Sequence, residues 1–351
     1  MKLDRHHKKF QLNGNSFSSD QELLSYAHDF SKELYDFFET WFSKDPFILV
    51  NTSGSTGVPK EIMLQKEQMI HSALATGSYF DLEENTTALL CLSANFIAGK
   101  MMLVRALILG WKLDVVLPDA SPLKNIQKEY DFSAMVPLQL ENSIHSLHLI
   151  KTLIVGGGVV SINLQQKIQH TSCTVFATYG MTETITHVAV KKLNKFKSIS
   201  SGEIETSYYE VLPDIEIYKD QRDCLVIRAS KISNNSVFTN DIVRLISDNQ
   251  FEWLGRFDTV INSGGVKLHP ERIEEKLSKG ITTRFFLAGI PDSILGEQLI
   301  LVVEGSFQTI DTTQLNLSKF EIPKQIYFVD EFAQTPTKKI ARKKTLALLS
   351  F

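Results

Sequence analysis

Three cysteines in 351 residues, Cys91, Cys173 and Cys224, are too few and too scattered for a disulfide framework, and none stands in a CxxC or Cys/His spacing that would hold zinc. Each is expected to be a small core residue in a reducing compartment. Long apolar runs are missing as well: no window approaches the ~20 residues of a membrane span, and the charged start MKLDRHHKKFQLNG leads into no apolar stretch. A cytoplasmic protein with no membrane partner is the expectation. An excess of either charge sign is also lacking, with 37 Lys and Arg against 40 Asp and Glu and a formal net charge of -3. No global field draws the chain to nucleic acid or anionic lipid, so any anion site must be local. Repeats and low-complexity linkers are absent. What is present is an ordinary globular composition, 43% hydrophobic and 22% charged, in a chain long enough for two domains.

Residues 45 to 180 alternate short apolar runs with longer periodic segments, which predicts an α/β architecture in which helices cover a sheet. Strands are expected at Phe47–Val50, Ala88–Leu92, Leu113–Leu117, Thr152–Val155 and Thr174–Ala177, and helices at Gln65–Tyr79, Ile97–Leu109, Ser121–Tyr130 and Ser161–His170. From Gly202 to Trp253 the runs shorten and alternate, as in YEVLPDIEIY and CLVIRAS, and predict an antiparallel β segment. After Gly255 come a turn-rich stretch, a helix ERIEEKLSK with Pro270 in its first turn, two apolar runs and a basic tail. These textures divide the chain into a large domain, 1–257, and a small α+β domain, 258–351, joined by a short hinge at Phe257–Asp258.

The stretch LVNTSGSTGVPKEI follows a predicted strand and gathers the groups a triphosphate needs. Thr52, Ser53, Ser55 and Thr56 supply hydroxyls, Gly54 and Gly57 let the backbone approach a ligand closely, and Lys60 adds a point positive charge. It is not a Walker loop, because Pro59 stands where GxxxxGK[ST] requires glycine.

This loop resembles the [ST]-[ST]-G-[ST]-[ST]-G-x-P-K signature of the adenylate-forming superfamily, which includes acyl-CoA synthetases, firefly luciferases and peptide-synthetase adenylation domains. Further elements follow in the family's order. TYGMTET at Thr178–Thr184 resembles the YGxTE element, which implies that Tyr179 stacks on adenine across the turn at Gly180, Thr182 lies beside the α-phosphate and Glu183 binds Mg²⁺. VGGGVVS at Val155–Ser161 resembles the glycine-rich strand end at the adenine pocket, with Gly157 and Gly158 as contacts; Ser161 also suits the cap of the next helix. TND at Thr239–Asp241 resembles TGD, whose Asp takes the ribose hydroxyls, with Asn240 replacing glycine as a residue tolerant of left-handed backbone. GRFDTVINSGGVKLHPERIE resembles the hinge element. It implies that Arg256 reaches ribose or phosphate, that Asp258 is the hinge and that Gly264–Gly265 lines a tunnel for the thiol donor. PTKKIARKK resembles PTGKIxR and places the adenylation lysine at Lys339, with Lys338 in place of glycine. Taken alone, each of these has a plainer reading as a turn, a cap or a solvated basic tail.

The resemblance implies an ATP-dependent ligase with Mg²⁺ as cofactor that converts a small carboxylic acid to an acyl-adenylate and then to a thioester of coenzyme A or of a carrier protein. Only about fifty residues precede the phosphate loop, where full-length members have a longer subdomain. On the acid side, LSANFIAGKMMLVRAL places Phe96 where many members have the His of FHxxG, and sets Lys100 and Arg105 on the helix bordering the acyl site. They are five apart and so not on one stripe. A second carboxylate on the acid would suit an inward Lys100. With YGMTETITHVA, this resembles the o-succinylbenzoate:CoA ligases of menaquinone biosynthesis, with Thr186 or His187 beyond Glu183 near the acid; a satisfied strand histidine is the alternative for His187. Two other readings stay open: a ligase for another aryl or short acyl acid, and a nucleotide-binding relative without ligase activity. Oligomeric state is not legible.

Overall fold

The computed structural model describes residues 5–51, 61–196, 207–311, 315–334 and 340–349. The chain opens with a small antiparallel ribbon, β1 (Gln11–Leu12) and β2 (Asn15–Ser16), and two helices, α1 (Asp20–Phe30) and α2 (Lys32–Phe42). The Ser19 hydroxyl accepts the Glu22 N–H at 3.2 Å and starts α1. In α2, Leu34, Phe37, Phe38 and Trp41 recur at three- and four-residue steps and are all buried. The next pair, β3 (Phe47–Asn51) and β4 (Glu61–Gln65), forms its own two-stranded antiparallel sheet, so the expected strand at Phe47 lies apart from the large sheet.

Then follow α3 (Lys66–Phe80), β5 (Thr87–Leu90), α4 (Ile97–Leu109), β6 (Lys112–Val115), β7 (Tyr130–Met135), α5 (Pro137–Asn142), β8 (Ile150–Val155), α6 (Ile162–Ile168) and β9 (Thr174–Gly180). The strands β1, β6, β5, β7, β8 and β9 lie side by side in parallel. Because β6 and β7 flank β5 on opposite sides, the winding reverses at β5. Loops at the carboxyl ends of strands beside such a reversal diverge and leave a crevice. Alternate residues of these strands serve two cores: Ala88, Leu90, Phe132 and Ala134 face one, Leu89, Cys91, Met135 and Val155 the other. Residues 101 to 107 of α4 are all buried, including Arg105.

The expected helix at Ser121–Tyr130 is not formed. Asp119 Oδ1 takes the Ser121 N–H at 2.7 Å, the backbone makes single turns from Ser121 to Lys124 and from Leu123 to Ile126, and Tyr130, whose spacing had suggested a helix face, opens β7.

Beyond β9 the sheet turns antiparallel through β10 (His187–Lys192), β11 (Tyr209–Val211), β12 (Glu216–Lys219), β13 (Cys224–Arg228), β14 (Val237–Ser247) and β15 (Gln250–Arg256). A separate five-stranded sheet follows: β16 (Ile261–Ser263), β17 (Val266–Leu268), β18 (Phe285–Asp292), β19 (Gly296–Glu304) and β20 (Gln325–Val329). α7 (Pro270–Leu277) inserts Ile273 and Leu277 into this sheet's core, and a short α8 (Arg342–Leu346) ends the described chain.

The parallel and antiparallel halves meet where Gly180 of β9 pairs with His187 of β10. A Cβ on Gly180 would lie 2.2 Å from the Thr186 carbonyl oxygen and 2.5 Å from His187 Cα, both backbone atoms that cannot swing aside. Gly180→Ala should therefore cost about 1–3 kcal/mol through backbone displacement, read as a lower urea midpoint with an unchanged m value.

Candidate active site

Tyr179, the penultimate residue of β9, is held edge-on by Tyr209 and Phe251, with ring centroids 5.8 and 5.2 Å away. Its hydroxyl donates to Asp241 Oδ2 at 2.7 Å, and Trp253 Nε1 donates to Asp241 Oδ1 at 3.0 Å. Burial, reinforced by the Asp241 charge, holds the Tyr179 hydroxyl far above its ordinary pKa, so it stays a donor. Asp241 is 7% exposed, and its own N–H is taken by Thr239 Oγ1 at 3.0 Å. The register of β14 and β15 sets Asp241 opposite Arg256, whose guanidinium lies 3.9 Å from Oδ1 and bonds Asp258 at 2.9 Å through Nε. Tyr179, Asp241, Arg256 and Asp258 thus form one linked chain across the sheet. Trp253 and Thr239 belong to it and were not anticipated; the alternation of FEWLG opposite TND was the available signal. Asn240 has no positive φ: it lies within β14 and accepts Arg222 Nη1 at 3.0 Å, so it replaces glycine for a reason other than left-handed backbone.

At the neighbouring strand end, Gly157 has φ +78, a conformation that favours glycine. A Cβ on Gly156 would meet the Thr178 hydroxyl at 2.6 Å, and that hydroxyl bonds the Val155 carbonyl at 3.2 Å. Gly156 to Gly158 and Thr178 to Gly180 therefore lie against each other at the carboxyl ends of β8 and β9. The next residues, Thr182–Thr184, form one 3-10 turn, and Ile185 follows at φ 67, ψ -59, with the Thr186 N–H on the Thr184 carbonyl at 2.7 Å. This is a strained γ-turn for a β-branched residue. The turn leaves Glu183 exposed while Thr184 and Ile185 are buried. An exposed carboxylate among hydroxyls fits Mg²⁺, which takes one or two protein oxygens beside phosphate oxygens and water; no cluster of three or more metal-ligating side chains occurs among the described residues.

On the acid side, Phe96 stands at the start of α4 and is 57% exposed. The loop before it is held by Glu33 of α2, which accepts Ser93 Oγ at 2.9 Å, the Ala94 N–H at 3.0 Å and Asn95 Nδ2 at 2.8 Å. Lys100 turns toward the same helix, its ammonium 5.7 Å from the Phe37 ring centroid. Burial lowers the Lys100 pKa, and the Glu33 and Asp36 charges offset part of this. Arg105 faces the other way, into the loop after Glu183. Its Nη2 lies 3.4 Å from Thr186 Oγ1 and 3.3 Å from His187 Nδ1, and its Nε lies 3.3 Å from Thr76 Oγ1. Burial, then the Arg105 charge, pulls the His187 pKa well below its ordinary value, so the ring is neutral. His187 is a buried strand residue with partners on both ring nitrogens.

At the junction between the sheets, Gly264 (φ +58) and Gly265 (φ +81) form the two-residue turn of the β16–β17 hairpin, with positive φ at both positions as a type I′ turn requires. The phosphate-loop residues Thr52, Ser53, Gly54, Ser55, Thr56, Gly57 and Lys60, and the tail lysine Lys339, lie outside the described residues.

Two measurements test this network. Tyr179→Phe and Trp253→Phe should each destabilise the fold by about 1–3 kcal/mol. The double variant should lose less than the sum, because both donors serve one carboxylate; strict additivity in urea unfolding would count against the network. Burial alone would raise the Asp258 carboxyl, but the hydrogen bond and charge of Arg256 outweigh it and hold the carboxyl below its usual range. The pair therefore supports the fold above the unfolded-state value of about 4 and loses this contribution as pH falls through the lower folded value. Asp258→Asn should flatten that part of the acid limb of melting temperature against pH.

Residues 2–218 match the AMP-binding enzyme family. An acyl-CoA synthetase (AMP-forming)/AMP-acid ligase II-like protein from Dyadobacter fermentans, solved as a crystal structure, is 38% identical, with TM-score 0.60 over 91% of this chain and 94% of that one. The 2-succinylbenzoate–CoA ligase of a Geobacillus strain is 25% identical over 91% of this chain and 72% of its own length. The O-succinylbenzoate coenzyme A synthetase of Bacillus subtilis, solved with ATP and magnesium ion, shares the fold at TM-score 0.73 and 18% identity, over 93% of this chain and 82% of that one. With the family matched over more than half its length and its elements at the carboxyl ends of β8 and β9, the chain belongs to the AMP-binding enzyme family of AMP-forming acid–CoA ligases.

Proposed function

We propose that this chain is the ligase that joins 2-succinylbenzoate to coenzyme A through an acyl-adenylate. The observation that supports it best is the convergence of Gly157, Thr178, Tyr179 and Thr182 at two adjacent strand ends, with Asp241 and Arg256 bonded to Tyr179 from the antiparallel half. The acid is that of the 2-succinylbenzoate–CoA ligases among its relatives, including those of Geobacillus and Escherichia coli.

In the first step a carboxylate oxygen attacks the α-phosphorus of ATP and pyrophosphate leaves. In the second, the thiol of coenzyme A attacks the mixed anhydride and AMP leaves. Tyr179, Gly157 and Gly158 border adenine, and Asp241 and Arg256 take the ribose and phosphate. The loop Thr52–Gly57 with Lys60 cradles the leaving phosphates, and Thr182 bonds the α-phosphate. Glu183 holds Mg²⁺, which when bound neutralises phosphate charge. Residues 258–351 form a mobile domain turning about Asp258, which brings Lys339 to the first step and the Gly264–Gly265 turn to the second. The protein acts in the cytoplasm.

Pyrophosphate release across a panel of acids tests the reaction and the acid together. 2-Succinylbenzoate should surpass benzoate by about 100-fold or more in kcat/KM; equal rates would exclude it as the substrate, and orthophosphate in place of pyrophosphate would exclude the reaction. Lys339→Ala should abolish acyl-adenylate formation while changing ATP affinity by less than about threefold, measured by calorimetry.

A further inference from the structure

A guanidinium buried without a counter-charge is costly, because desolvation of the ion is not returned by an ion pair. Arg105 is 1% exposed, and it forms no ion pair among the described residues. Its three hydrogen-bond acceptors, Thr76 Oγ1, Thr186 Oγ1 and His187 Nδ1, are neutral, and all stand at 3.3–3.4 Å, beyond the usual 2.9–3.0 Å of a strong N–H bond. Elsewhere in the same molecule the half-buried Arg342 meets Glu274 at 2.8 Å. The Arg105 donors are therefore loosely held, and its planar fork matches a carboxylate. Thr186, three residues after Glu183, is only partly buried, so the guanidinium is reachable from the loop that carries Thr182 and Glu183.

We infer that Arg105 is the binding residue for a second carboxylate on the substrate acid, the one that is not adenylated. An arriving carboxylate displaces the long bond to Thr186 and supplies the missing counter-charge, with neutral His187 and Thr76 holding the guanidinium in plane. Lys100, the cation the sequence pointed to, is directed at Phe37, Glu33 and Asp36 instead. The inference rests on the acid-ligase reading above and adds to it that the pocket selects dicarboxylates. The low pKa that burial gives Arg105, about 9, fits a cation waiting for its partner.

The test compares wild type, Arg105→Gln, Arg105→Lys and Arg105→Met on 2-succinylbenzoate and on its two analogues lacking one or other carboxyl group, by pyrophosphate release. Arg105→Gln should raise KM for the dicarboxylate by about 100-fold, change KM for ATP by less than about threefold, and remove the preference over the productive monocarboxylate. Arg105→Lys should recover part of that preference. Arg105→Met should match or exceed the wild type in melting temperature, since it removes an unpaired buried charge, yet discriminate no better than Arg105→Gln. Equal losses on the dicarboxylate and the productive monocarboxylate would reduce Arg105 to a structural group and overturn the inference while leaving the ligase reading intact. If wild type releases no pyrophosphate with any acid, the ligase reading fails, and protection against thermal unfolding decides for Arg105: a shift by the dicarboxylate present in wild type and lost in Arg105→Met supports it, and no shift in wild type overturns it.

Discussion

The Asp241 carboxylate is the point on which the large sheet depends. It is buried, and each of its oxygens takes a donor from a different strand, Tyr179 on the last parallel strand and Trp253 on an antiparallel one. A buried charge with fewer partners would cost several kcal/mol. The same two bonds therefore tie the parallel half to the antiparallel half and fix the ring of Tyr179. Arg256 completes the arrangement from the facing position on the next strand and passes the connection to Asp258, where the second sheet begins.

How much of this could be read in the sequence follows from how local each signal is. The parallel strands and α3, α4 and α7 were legible because runs of buried residues with short polar interruptions leave few alternatives. The Tyr179, Asp241 and Arg256 positions were legible through their motifs, and the fold brings them together. The helices α1 and α2 were not anticipated, although Leu34, Phe37, Phe38 and Trp41 carry a clear helical period. The helix expected at residues 121 to 130 failed because Asp119 satisfies the Ser121 N–H and a strand claims Tyr130. A periodicity of three or four apolar residues over ten positions cannot separate those outcomes.

The acid side was the least legible, and the reason is direction. Sequence spacing says that Lys100 and Arg105 lie on different stripes of α4, but not which stripe meets the ligand. That depends on two remote partners, the α2 segment beneath Lys100 and the strained turn at Ile185 beneath Arg105. The turn itself has no sequence signature, since a β-branched residue is the last choice for positive φ and is held there only by the packing around it.

The bond from Glu33 to the loop at Ser93–Asn95 has a temporal consequence. Its partners are separated by 60 to 62 residues, and all of them have left the ribosome once residue 95 is clear. The anchor of Tyr179 spans 62 residues as well, but closes only after Asp241 and Trp253 have been made. A growing chain can therefore shape the acid-side loop long before the nucleotide side exists, and the two halves of the pocket are completed in the order of synthesis.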